Sequence, residues 1–378
     1  MKRSMHQQKK SKRIRLVFTV TNDLNYDQRM IRICSSLQND NYEVLLVGRK
    51  KPGSGSLNKY AFSQKRLFCF FHQGKLFYLE FNVRLLLFLL FTRLDIICAI
   101  DLDTILPCYF ISILRRKKRI YDAHELFCEM KEIVTRPLIY KTWKFIEGYT
   151  VPKFSLGYTV NDPIRNILQN DYKVNYEVIK NVPLLQPAPV NKKTEPFILY
   201  QGTVNEGRSF ETLIPAFKWI NCPIRIYGDG NFLDQAKNLV CENGLESKVL
   251  FMGKLYPEEL KEITPLAILG VTLFENNGLS NYYSLANRFF DYIHAHVPQI
   301  CVDYPAYRQI NDQFQVALLI DDLSSESIAR TINTLLTDQE LRSRLRNNCI
   351  EAAKVFNWQS EEKKLLAFYH SAFSNSRS

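Results

Sequence analysis

The sequence predicts an α/β protein built from two doubly wound, Rossmann-like parallel-sheet domains. Its 378 residues are too many for one ordinary hydrophobic core and suit two domains of about 180 residues each. Short, continuously apolar runs alternate with helical patterns, which is how strands buried on both faces of a parallel sheet read. The alternation breaks once, at KNVPLLQPAPVNKKTEPF, where four prolines and no helical period describe an extended connector.

In the first domain, placed at 13–181, RLVFTVT forms the opening strand and a helix follows from about Asp27 to Gln38. YEVLLVG, LDIICAI and KRIYDAH are further strands, with a helix through Ile105 to Leu114 between the last two. LFCFFHQGKLFYLEF, 67–81, reads as two strands around a Gln-Gly turn, added to the same sheet. The connector, 182–196, is the expected hinge near Pro183 to Pro189.

The second domain, 197–357, repeats the pattern. FILYQG, PIRIYGDG, KVLFMG, AILGVTLF, PQICVDY and VALLID are its strands. Helices run from Phe210 to Trp219 and from Leu233 to Asn243, another lies near Glu258, and one begins near Ser284. The chain from Ser325 is mostly helical, and 358–378 is expected to fold back toward the first domain.

Hydrophobic residues make up 46% and charged residues 23%, the composition of a folded globular protein, so disorder is expected only at the ends, in the basic tail 1–12 above all. Nine scattered cysteines include no CxxC pair, so neither a zinc site nor a disulfide framework is signalled, and a reducing cytosol fits. The longest apolar stretch, RLLLFLLFTRL, is shorter than the ~20 residues that span a bilayer, though it could lie on one. A formal charge of +12 calls for a phosphate-bearing partner or a solvated surface. Much of it sits in MKRSMHQQKKSKRIR and in the run Arg115 to Arg119. These clusters read either as solvated chain or as docking on an anionic membrane face. Nucleic acid is not expected as a partner, because the basic residues lack interleaved aromatics and recognisable modules.

Crevices at the carboxyl ends of parallel strands are where such sheets bind ligands. In the second domain YQGTVNEGR ends a strand at Gly202 and places Arg208 near the start of the next helix. That pairing suits a phosphate, although glycine after a strand is also plain turn chemistry. Gly228 and Gly230 read as turn residues. In YYSLANRFFDYI, Tyr283, Asn287 and Asp291 recur every four residues, as on one helix face. A carboxylate there can accept both hydroxyls of a ribose, and the amides of Ser284 and Leu285 could face a diphosphate; a solvated helix with a packing aromatic fits the spacing equally. In the first domain three polar clusters follow three strands: Asp23, Asp27 and Arg29; Asp101 and Asp103; Asp122, His124 and Glu125.

NDLNYDQRM, YDAHELF, WKFIEGY, YTVND, NVP, YQGTVNEGR and YYSLANRFFDYI together resemble, in order and spacing, the retaining glycosyltransferases of family 4 in the form common in bacterial polysaccharide gene clusters. The resemblance runs from about Arg13 to Trp358. It implies a GT-B fold, with a nucleotide sugar, UDP- or GDP-linked, on the C-terminal domain and a glycan or lipid-linked acceptor on the N-terminal one. The basic clusters, with RLLLFLL near one of them, fit an acceptor carried on a lipid at the inner face of the cytoplasmic membrane. The resemblance also implies transfer with retention and no bound metal or other cofactor.

By the same resemblance Asp291 is the ribose ligand, Arg288 stands beside Asn287 in the place of a lysine, and Arg208 neutralises the diphosphate. His124 and Glu125 fall on the catalytic pair, with His124 near the donor sugar. Lys254 is a further candidate for the leaving phosphate, and the acidic residues after the first domain's strands, with Arg29, are the acceptor candidates. The chain departs from the family where a glutamate is usual eight residues before Asp291: Tyr283 stands there, and it can hydrogen-bond but carries no negative charge. A catalytically impaired scaffold that binds a nucleotide sugar or serves in assembly is the alternative expectation.

Overall fold

The computed structural model describes residues 13–187 and 195–374. The basic tail 1–12 and the middle of the connector, including Pro189, therefore lie outside the described residues. Two parallel sheets organise the chain. The first contains β1 (Arg15–Thr19), β2 (Glu43–Arg49), β3 (Ser63–Leu67), β4 (Ile96–Ile100), β5 (Lys118–Ala123), β6 (Leu156–Thr159) and β7 (Glu177–Val178), in the order β3-β2-β1-β4-β5-β6-β7. The second contains β8 (Ile198–Gln201), β9 (Ile224–Tyr227), β10 (Val249–Gly253), β11 (Leu269–Thr272), β12 (Gln299–Val302) and β13 (Ala317–Ile320), in the order β10-β9-β8-β11-β12-β13. Both orders reverse direction beside the first strand of their sheet, the topology of a doubly wound fold.

The apolar runs are strands because both of their faces are covered. Every residue of β4, β8, β11 and β12 is buried, and each residue of such a strand must shed water on one side of the sheet or the other. By compactness the chain divides into one unit of 1–122 with 153–157 and a second of 123–152 with 158–378. In the second unit the core continues from the sheet into the C-terminal helices through Ile328, Leu345, Cys349 and Phe356. The last helix, Trp358–Ser374, packs on β6, where Tyr158 meets Phe368 edge-on and the Tyr158 and Tyr369 hydroxyls lie 3.3 Å apart. All nine cysteines are free thiols, eight of them buried.

The stretch 67–81 does not form two strands. Its second half opens α2 (Gly74–Phe91), which precedes β4; α1 (Gln28–Asn39) and α3 (Ile105–Leu114) lie where helices were expected. The burial of Phe77, Phe81, Leu85 and Leu89 at intervals of four shows the helical period. The pattern is hidden in the sequence because apolar residues occupy both the buried and the exposed side of α2, and Lys75, Glu80, Asn82 and Arg84 fall between those sides instead of forming an outer polar face. Among the described residues no helix is long and apolar enough to cross a membrane.

Candidate active site

A cavity of about 230 Å³ in the second unit is lined by the ends of several elements, with His124, Glu125, Asn181, Arg208, Phe274, Asn281 and Asn287 in its wall. His124 and Glu125 follow directly from β5. Gln201 ends β8, and Gly202 turns the chain away with φ +129, a backbone conformation that L side chains rarely adopt. A Cβ at Gly202 would also stand 3.3 Å from Nη1 of Arg288. The glycine thus leaves room for a guanidinium as well as making a turn.

Arg208 precedes the helix Phe210–Ala216, and Arg288 sits in the first turn of the helix Asn287–His294. Their guanidinium carbons lie 4.5 and 4.7 Å from the centroid of the Phe274 ring, and that of Arg288 lies 4.4 Å from the ring of Tyr200. Arg288 is 7% exposed and donates to the carbonyl of Gln201 at 3.2 Å. Among the described residues neither arginine has a carboxylate within ion-pair distance. Burial and the neighbouring charge of Arg288 hold the Arg208 guanidinium below its ordinary pKa, yet a guanidinium still carries its proton at neutral pH. Two confined like charges of this kind are relieved by an anion.

Arg208 is aimed by a chain of amides. Its Nη1 donates to Asn281 at 3.1 Å, Asn281 donates to Asn277 at 3.0 Å, and Asn277 donates to Glu275 at 2.6 Å. Burial, followed by the charge of Glu211, pushes the Glu275 carboxyl upward. The Glu125 carboxyl is also pushed up, by burial above all, against the lowering influence of His124 and Arg208.

The predicted helix at 284 starts later. Tyr283 ends the short helix Leu279–Tyr282, the next helix begins at Asn287, and Ala286 between them is extended with ψ 143. Tyr307 fixes this break by accepting the Ala286 amide at 3.0 Å, while the Ser284 amide goes to the carbonyl of Asn281 at 3.2 Å. Tyr283 therefore does not share a helix face with Asn287 and Asp291, and the Ser284 amide is engaged by the loop. Asn287 and Asp291 do share a helix. Asn181 donates to Asn287 at 2.7 Å, and Asp291 accepts from Gln201 at 2.9 Å, which in turn accepts from Thr264 at 2.8 Å. Asp291 is half-buried and stands outside the cavity wall, whereas Ser284, Leu285 and Asn287 form part of it. Lys254 is exposed just beyond β10 and does not line the cavity. At Gly230 an added Cβ would stand 2.3 Å from the Val204 carbonyl, so turn geometry accounts for that glycine.

In the first unit the candidate residues have partners of their own. Arg29 and Asp122 form a buried ion pair at 2.9 Å. Asp23 is held by Arg66 at 2.6 Å and by Ser54, and Asp27 caps α1 by accepting the amide of Met30 at 3.1 Å. Asp103 accepts from Thr21 at 2.5 Å, and the Asp101 amide donates to the carbonyl of Asp122 at 2.9 Å. These bonds tie together the carboxyl ends of β1, β4 and β5. Asn161, Asn181, Asn277, Asn281, Glu275 and Tyr307 are structural or cavity residues that sequence reasoning passed over. Asn161 and Asn181 lie within the YTVND and NVP segments, and Asn277 and Asn281 stand at i,i+4 spacing, but none of these marks a side-chain role.

Residues 183–354 match the family model of glycosyl transferases group 1. A D-inositol 3-phosphate glycosyltransferase of Corynebacterium glutamicum (strain R) is 26% identical over 144 residues, 38% of this chain and 32% of that protein. The match thus spans about a third of that relative's length. The structure of sucrose-phosphate synthase from Thermosynechococcus elongatus aligns over 96% of this chain and 100% of its own, with a TM-score of 0.77 and 16% identity. Anabaena HepE in complex with UDP-glucose aligns over 95% and 100%, with a TM-score of 0.75 and 12% identity. These likenesses speak for the fold, and the fold is GT-B.

Proposed function

We propose that this chain is a retaining hexosyltransferase that moves a sugar from a nucleotide-sugar donor to a saccharide or lipid-linked saccharide acceptor in cell-surface polysaccharide biosynthesis. The observation that carries the reading is the pair of the half-buried Arg208 and the buried Arg288 beside Phe274, close to the ends of β8 and β11, with no carboxylate within ion-pair distance among the described residues. The match to group 1 glycosyl transferases over 183–354 supports it, and the fold neighbour bound to UDP-glucose suggests the donor class.

Glycosyl transfer breaks the C–O bond between the anomeric carbon and a diphosphate, so negative charge grows on the leaving group. Guanidinium groups fixed in a confined cavity stabilise that charge more strongly than water does, because their dipoles need no reorganisation. Arg208 and Arg288 take this role, and Asn281 and Asn277 hold Arg208 on target. The reading assigns no divalent cation. Retention follows if the acceptor hydroxyl enters on the face from which the phosphate departs, with the leaving phosphate accepting the hydroxyl proton. His124 orients the donor sugar, and Asp291, steadied by Gln201, binds the ribose.

The test is calorimetric titration with UDP- and GDP-sugars, followed by NMR assignment of the anomeric configuration of the product. Micromolar binding of one donor and a retained product are expected. A protein that binds none of them, or a product of inverted configuration, overturns the reading. The impaired scaffold rests on Tyr283 in the usual place of a glutamate; it predicts donor binding without any hydrolysis of the donor or transfer.

A further inference from the structure

We propose that the outward face of α2 and α3 in the first unit is a seat for an anionic lipid bilayer, into which it inserts apolar side chains to the depth of the headgroup boundary. This goes beyond the lipid-linked acceptor of the proposed function by naming the surface that meets the membrane, and it stands whether or not the chain transfers sugar.

Helix α2 carries two apolar stripes. The inner one, Phe77, Phe81, Leu85 and Leu89, is buried against the unit. The outer one includes Leu79, Val83, Leu87 and Leu90, spaced by four, four and three residues. At 3.6 residues per turn this spacing puts it on the opposite side of the helix. Its members are exposed, Leu79 by 64% and the adjoining Phe91 by 84%. Helix α3 continues the surface with Phe110, Ile113 and Leu114, and a groove of about 390 Å³ between the two helices is lined by apolar side chains alone. A helix with apolar stripes on two opposite sides has a second face to cover, and contiguous exposed apolar patches mark contact surfaces.

Charge selects the occupant. Arg93 and Arg116, both exposed, stand just beyond the C-terminal ends of α2 and α3, beside Phe91 and Leu114. The lone carboxylate of α2, Glu80, accepts the amides of Phe70 and Phe71 at 2.9 Å each and pairs with Arg84 at 2.7 Å, and α3 has no charged residue. This face therefore offers a second copy of the chain no free carboxylate for those arginines, and a two-fold contact would bring like charges together. Anionic headgroups over an apolar interior match both features. The neighbouring Arg115 and Arg119 are not part of the seat. Arg115 donates to the carbonyls of Leu89 and Thr92 at the end of α2, and Arg119 donates to the carbonyl of Lys153 at 2.7 Å and to Ser112 at 3.1 Å.

The test is cosedimentation of the full chain with vesicles of phosphatidylglycerol and phosphatidylcholine, and with vesicles of phosphatidylcholine alone. The wild type is expected to pellet with the anionic vesicles only, and L87E/F91E is expected to lower that partition about tenfold or more, because two large apolar side chains lose their burial. R93E/R116E is expected to weaken it in a salt-dependent way. Circular dichroism and calorimetric titration of the nucleotide verify that the variants remain folded and keep their donor site. A wild type that stays in the supernatant, or an L87E/F91E variant that binds as well as wild type, overturns the proposal. So does a wild type that is a dimer without lipid and becomes a monomer on L87E/F91E, since the face would then belong to a second copy. Vesicle binding without donor binding would sink the transferase reading and leave this one standing.

Discussion

In the proposed transfer, the chemistry turns on Arg208 and Arg288. Replacing either with alanine removes charge-assisted bonds to a diphosphate, each worth about 1.5–3 kcal/mol, so donor affinity should fall roughly tenfold to a hundredfold in calorimetry with little change in melting temperature. His124→Ala separates binding from turnover: kcat should fall while nucleotide affinity holds, and wild-type turnover would remove His124 from the mechanism. Asp291→Ala should weaken nucleotide affinity. Glu125 makes a prediction in pH. Burial raises its folded pKa above the ordinary carboxylate value, so the folded state holds a proton that the unfolded chain releases, and stability falls as pH rises between the two values. Glu125→Gln should then melt higher than wild type at pH 7, with the gap closing near pH 4.

At the scale of elements, the strand ends of the first unit depend on the Arg29–Asp122 pair, whose side chains are 2% and 0% exposed. Breaking a buried pair from one side strands the other charge and typically costs about 3–5 kcal/mol, so Arg29→Ala should lower the denaturation midpoint sharply. Gly202→Ala forces a Cβ into a φ of +129 and against Arg288; a strained position costs about 1–3 kcal/mol, and donor affinity should fall with stability because Arg288 moves. The elements also mark how far the sequence could be read. The strands were legible because burial on both faces leaves an unbroken apolar run. Helix α2 was not, because an exposed apolar stripe erased the contrast between its faces. The break at 284–286 was invisible because the residue that fixes it, Tyr307, comes from another helix.

Across the molecule, the last helix ties distant parts of the second unit together. Glu361 accepts the amide of Lys180 at 2.9 Å, Gln359 accepts that of Leu185 at 3.0 Å, and the Trp358 amide donates to the carbonyl of Pro183 at 2.8 Å. Leu365 and Tyr369 are fully buried. Truncation after Asn357 should therefore destabilise the unit as a whole, giving a broad, low-temperature calorimetric transition or insoluble protein. A sharp wild-type transition would show that the helix is dispensable.

The sequence alone determined the two doubly wound sheets and the strand ends near which a cavity lies, with Arg208, His124 and Asn287 in its wall, because hydrophobic period and strand-end chemistry are local properties. Tertiary structure decided the rest. That Arg29 and Asp122 neutralise each other, that Arg208 and Arg288 stand beside one aromatic ring with no carboxylate within ion-pair distance among the described residues, and that α2 keeps a second apolar stripe in the open all depend on which distant residues arrive at each side chain. No local pattern encodes that arrival, since it is set by how strands far apart in the chain pair and how the intervening helices cover them.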